Sequence, residues 1–199
     1  MQTPISQMMQ LKNWVEMLQS KASLDPKTGF LASLPNYVRI PDGLEEEDKS
    51  SYLVNRGIQI KQRIKRELIN RLLEKLHYKR VVERPNDLLI DFLDRHCEPI
   101  FKIYCCILDT ILKKELRRMQ MANKQLPDLV QNDTLQKSFL IYATIIHLYS
   151  KNMNEMSVQD MLLELDHPAF DLWFTFESFM TVDPNLPQQL REHFLDIER

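Results

Sequence analysis

Glycine is nearly missing from this chain: three residues in 199, at positions 29, 43 and 57. No glycine-rich phosphate loop can be assembled from so few, and turns that need positive φ should be rare. Cysteine is scarce as well. Cys97, Cys105 and Cys106 are an odd set without CxxC spacing, and adjacent cysteines rarely pair, so they read as buried thiols in a reducing compartment, nucleus or cytosol. No apolar run approaches the ~20 residues of a membrane span. Lys12, Trp14 and Glu16 interrupt the N-terminal apolar pattern, so no secretory signal is expected.

What the chain has is helix formers: ten methionines and long stretches of Leu, Ile, Lys, Glu and Gln. Hydrophobic residues at 44% and charged residues at 27% suit a globular chain long enough to bury a real core. The expected class is all-α, with residues 1–199 as one domain. Charge is unevenly spread. Arg56 to Arg84 holds ten Lys and Arg against three Glu, whereas Glu155 to Arg199 holds ten acids against Arg191 and Arg199. Opposite fields of this kind are read as features of association and steering rather than of fold.

Thr3-Pro4, a hydroxyl cap followed by proline, predicts a first helix that Asp25-Pro26 brings to an end. Residues 25–48, with Pro35, Pro41 and the acidic run from Glu45 to Asp48, read as an irregular connection. A long helix is expected from about Ser51 to Tyr78, because Ile60, Ile64, Leu68, Leu72 and Leu76 recur every four residues. Arg84-Pro85-Asn86-Asp87 breaks it. One or two helices follow from Leu88 to Ala122, with Pro99 marking a kink or boundary. Leu126-Pro127 separates them from an apolar helix, Thr134 to Ser150. A short helix from Met156 to Leu165, an aromatic helix opened by His167-Pro168 and a last helix from near Pro187 complete the chain. The aromatic helix is apolar nearly all round, so it should be a central, buried element.

Chemistry is hard to find. The five histidines are scattered, with no HExxH and no Cys/His metal spacing, and no nucleophile elbow or paired carboxylates stand out. No metal, cofactor or catalytic residue is expected. The basic helix could meet phosphates, but Glu67 and Glu74 interrupt it and no aromatics are interleaved, so a solvated face is the better reading. Glu177 is less easily dismissed. It sits in HPAFDLWFTFESFM, and on a helix it shares a face with Phe170, Trp173 and Phe174. Buried alone it would cost several kcal/mol. It therefore pairs with a cation of a neighbouring helix or lies at the edge of a groove that receives a partner.

The order of segments resembles the A-box of the retinoblastoma-family pocket proteins. TPISQMMQLKNWVEML looks like that family's TPV start and its Leu- and Met-rich helix, and ILDTILKKELRRM looks like its tyrosine-rich helix ending in ERL or RRL. NDTLQKSFLIYATIIHLYS resembles the segment reading DIFHxSLxAC and ending in YS. ELDHPAFDLWFTFESFM is similar to VLNLxxFxFYKVIESFI, and His193 to Glu198 stands where the family has KHLxxxE. The likeness spans essentially the whole chain. The RRM ending leans toward the retinoblastoma-like branch, Val158-Gln159-Asp160 replaces the family's FPW, and the chain stops at Arg199, before the ESLAW segment. A divergent A-box fragment without its B-box is expected.

The resemblance implies a cyclin-like helical fold and a nuclear, non-enzymatic transcriptional co-repressor of the cell cycle. Its implied partners are the B-box of the same protein, E-two-factor and DP-type transcription factors and, through the full-length protein, chromatin repressor complexes; nucleic acid and membrane are not among them. In the family an acidic activation segment lies in the groove between the boxes, and the matching positions here are Arg118, Glu177 and Glu198. Departures from the pattern fall at Thr181, Glu192 and Leu195, and Lys124 stands in for a loop lysine. The LxCxE groove belongs to the B-box, so no LxCxE binding is expected. Thr3 matches a cyclin-dependent-kinase site, although locally it is simply a helix cap. The alternative reading is a cyclin-fold partner of a kinase or of the general transcription machinery. An A-box without its mate should expose apolar surface and tend to self-associate.

Overall fold

A computed structural model describes residues 4–81, 88–124 and 128–198. Within them the chain is all-α, with a single isolated β-bridge between Leu24 and Leu31. The helices are α1 Pro4–Lys21, α2 Glu46–Gln62, α3 Asn70–Val81, α4 Leu89–Met121, α5 Asp133–Ser150, α6 Val158–Glu164, α7 Ala169–Met180 and α8 Gln188–Glu198. No described helix is long and apolar enough to cross a membrane. The expected breaks at Arg84-Pro85-Asn86-Asp87 and Leu126-Pro127 lie outside the described residues.

The long basic helix begins earlier than its periodicity suggests. Glu46, Glu47 and Asp48, taken from sequence as part of an irregular connection, form the first turn of α2. Carboxylates there complement the positive end of the helix dipole, which favours winding the acidic run into the helix. Between α2 and α3 the chain stays helical but widens into π-type turns at Arg63–Ile69. Pro99 neither ends nor divides α4, which runs for 33 residues through it. Proline removes one intrahelical hydrogen bond, and packing of α4 against α1, α3 and α5 holds the two halves in line.

The central element is α5, not the aromatic helix. From Ser138 to Leu148 every side chain of α5 is buried, and most of its polar groups find partners within the fold, His147 Nδ1 being the exception. Ser138 Oγ lies 2.8 Å from His167 Nε2, Thr144 donates to the Leu140 carbonyl, and the Tyr142 hydroxyl donates to the Leu172 carbonyl at 2.5 Å. The aromatic α7 packs one face on α5 through Leu172, Thr175 and Phe179, and Phe170, Trp173 and Phe174 stay outside.

Three helix ends explain how so few glycines suffice. Asn123, Asn152 and Asp166 take positive φ (52°, 53° and 48°) just past α4, α5 and α6. After each, the next amide bonds back to the carbonyl five residues earlier: Lys124 to Met119, Met153 to Leu148, His167 to Leu162. These are Schellman closures with Asn or Asp where glycine is usual, the short polar side chain lowering the left-handed penalty. Positive-φ turns are therefore present.

The charge asymmetry is largely an internal clasp. Arg71 and Lys79 reach Glu164 and Asp160 of α6 at 3.5 and 2.6 Å, and Arg80 reaches Glu155 in the preceding loop at 3.1 Å. Lys65 meets Glu98 of α4, and Arg63 meets Asp133 at the start of α5. The basic and acidic thirds of the chain partly neutralise each other across the α3–α6 contact, so their separation in sequence contributes to the fold as well as to the outer field.

Candidate docking face around Glu177

The α6–α7 corner aims the aromatic helix. Asp166 closes α6, buried His167 anchors to Ser138, and Pro168 stands in extended backbone just before α7. Burial holds the His167 imidazole below its usual pKa, so it stays neutral and shares its ring nitrogen with the hydroxyl. On the inner side the Tyr142 ring stacks on Phe179 at 4.3 Å, and Phe194 of α8 meets Phe179 edge-on at 4.9 Å. This aromatic stack fixes which way α7 is turned.

Turned so, Glu177 stands on the outer face. It is exposed and has no ion-pair partner among the described residues, so the pairing with an internal cation is not formed. Around it Phe170 and Phe174 are 70% and 71% exposed, and Trp173 is 58% exposed. A side chain three or four residues away on a helix is a neighbour, so the acid stands next to Trp173 and Phe174 at the C-terminal end of the aromatic row. Burying several aromatic rings is strongly favourable, and a contiguous apolar patch of this kind marks an interaction surface.

Arg118 lies near the end of α4, exposed, with Nε 3.0 Å from Glu115 Oε2. Hydrogen bonding to Glu115 strengthens its hold on the proton. One turn before it, Lys114 donates to the Thr181 carbonyl, one turn beyond Glu177. The C-terminal ends of α4 and α7 therefore lie against each other, with Arg118 one turn past the contact on α4 and Glu177 one turn before it on α7. Glu198 is in the last turn of α8, the helix whose Phe194 packs on α7; only its helical position is described. Thr3 lies outside the described residues. At the departures, Thr181 bonds the Ser178 carbonyl, Glu192 accepts from Gln188 at 2.8 Å, and Leu195 is 40% exposed.

Sequence reading missed a hollow of about 290 Å³ beside this face, lined by Ile145, Leu162, Leu172, Trp173, Phe176 and Phe194. Its walls come from four helices, so no spacing within one segment announces it. Among the described residues no group of three or more His, Cys, Asp or Glu could hold a metal ion.

A rigid helical face, aromatic and acidic, standing over a packed all-α core is the apparatus of a docking module. The chain belongs to the retinoblastoma-associated protein A domain family, whose model matches residues 3–199. No curated protein and no solved structure matches the chain.

Proposed function

We propose that this domain is a non-enzymatic scaffold of the pocket-protein type, working in the nucleus as part of a transcriptional co-repressor that controls cell-cycle genes. The outer face of α7 receives a second helical box. The groove so formed takes the acidic activation segment of an E-two-factor or DP-type transcription factor, with Arg118, Glu177 and Glu198 as its contacts. Chromatin repressor complexes would join through the full-length protein. The ELRRM ending supports a place in the retinoblastoma-like branch.

The observation that carries this reading is Glu177, without an ion-pair partner among the described residues, at the end of a row of exposed Phe170, Trp173 and Phe174. A stable chain gains little by leaving three large rings in water unless another surface covers them. Once covered, Glu177 needs donors, which a bound segment's backbone amides supply. Arg118 supplies the opposite charge for the segment's acids.

The test joins the domain to a B-box and titrates a fluorescent acidic activation peptide. Glu177→Ala and Arg118→Ala should each weaken binding by roughly tenfold, the range for losing a charged contact at an interface. Unchanged affinity in both variants would remove the assigned groove.

A further inference from the structure

The cations of the long basic helix fall into two sets. Arg63, Lys65, Arg71, Lys79 and Arg80 each meet an acid on another element. From Arg56 onward the other four described cations, Arg56, Lys61, Arg66 and Lys75, have no ion-pair partner among the described residues, and of these Lys61 and Arg66 stand together. Both line a cleft of about 650 Å³ between the α2–π-turn wall and the first half of α4. Across from them stand Ile90, Leu93 and Cys97, with Asp94 and Glu98 on the same wall. Ile90 is 72% exposed.

The wall is built with some care. It includes the π-type turns at Arg63–Ile69, a costly geometry that concentrates at functional sites. Lys65 is held by Glu98 at 2.6 Å, its ammonium 5.4 Å from the centre of the Phe101 ring. Lys61 lies across Gly29, where any Cβ would come within 2.3 Å of its Nζ; the backbone there has φ +63°. The absence of a side chain at position 29 therefore makes room for the Lys61 ammonium.

We propose that this cleft is a second docking site, taking an extended acidic segment of a partner protein with apolar residues between its carboxylates. The carboxylates meet Lys61 and Arg66, which form no ion pair among the described residues, and the apolar residues lie on Ile90 and Leu93. From Ile58 to Asn70 the wall runs about 18 Å at helical rise, the span of roughly five extended residues. A polynucleotide fits less well. The cations that would continue a phosphate track, Lys65 and Arg71, are already paired within the fold, whereas a short segment with two spaced carboxylates needs only Lys61 and Arg66 and can keep its apolar residues toward Asp94 and Glu98. The site lies on α2–α4, apart from the α7 face, and does not depend on the function assigned there.

The experiment is amide NMR on the full 199-residue chain, titrated with a blocked hexapeptide of alternating Asp and Leu. Saturable shifts are expected in residues 58–70 and 90–98. The Lys61→Glu/Arg66→Glu double variant should weaken binding by roughly tenfold or more, and Lys75→Glu, on the same helix outside the cleft, should not. Ile90→Asp, at an exposed position that cannot compromise the core, should weaken it as well. Four results would overturn the proposal: no saturable shifts, shifts centred on α7, equal loss with Lys75→Glu, or tighter binding of a single-stranded oligonucleotide at the same residues.

Discussion

Arg80 Nη1 stands 3.1 Å from Glu155 Oε1, joining the last turn of α3 to the loop before α6. The guanidinium is nearly buried and lies 5.9 Å from the centre of the Phe92 ring; the contact is close enough for an ion pair but lacks the alignment of a hydrogen bond. It is the innermost link of the clasp between the basic and acidic parts of the chain.

Removing the acid should therefore hurt more than removing both charges. Glu155→Ala leaves Arg80 uncompensated and should destabilise the fold by about 2–3 kcal/mol, below the range for a fully enclosed pair because Glu155 is partly exposed. Arg80→Met with Glu155→Leu should recover most of that loss. Urea unfolding of the parent and the two variants decides, and equal stability of Glu155→Ala and the parent would mean the clasp is decorative.

Acid should loosen the domain in a defined window. Burial first, then His96 and Lys151, lower the pKa of His147 from 6.5 to about 3, and its Nε2 lies 2.8 Å from His96 Nδ1. Below pH 6.5 the unfolded chain takes up a proton that the folded chain refuses. Stability is thus fully present above pH 6.5 and falls toward pH 3, by up to about 1.4 kcal/mol per pH unit for this one group. His167 and His193, also lowered by burial, add to the same slope. Asp160, held below the usual carboxylate range chiefly by Lys79 and Ser157, acts only as pH drops past about 3.8. Thermal melts from pH 7 to 4 should show a shallower decline for His147→Gln; an unaltered slope would remove His147 from the account.

Helix closure offers a gain as well as a loss. Asp166→Gly should stabilise by roughly 0.5–1 kcal/mol, since glycine adopts φ 48° without steric cost and gives back part of the gain as chain entropy. Asn152→Ala should cost about 1 kcal/mol at φ 53°. Opposite signs in denaturant midpoints, with unchanged slopes, are the expected outcome.

On α7 the two faces should respond oppositely. Phe174→Lys and Phe170→Ser, both largely exposed, should leave stability within about 0.5 kcal/mol and reduce self-association in light scattering. Phe179→Ala, which strips the ring stacked on Tyr142, should cost about 3–4 kcal/mol. A large stability loss from Phe174→Lys would show that the outer face is structural.

Much of the fold was legible because periodicity is local. The repeat from Ile60 to Leu76 marks a helix without reference to anything beyond it, and all five of its members are buried. Pro99 was harder to read, since its effect depends on whether flanking helices hold the two halves in register. Glu177 was legible as an anomaly from its neighbours in the chain, but the hollow beside it was not, because four separate helices line it.

By itself the amino-acid sequence determined the helical class, the approximate limits of the helices and the family, all of which follow from patterns within short stretches and their order. Only the tertiary structure decided that α5 lies inside and α7 outside, and that unlike charges far apart in the chain close on each other. The reason is physical. Hydrophobic burial depends on area and has no preferred direction, so a helix apolar on every side does not say which side its neighbours will cover, and an ion pair exists only once the chain has brought its two ends together.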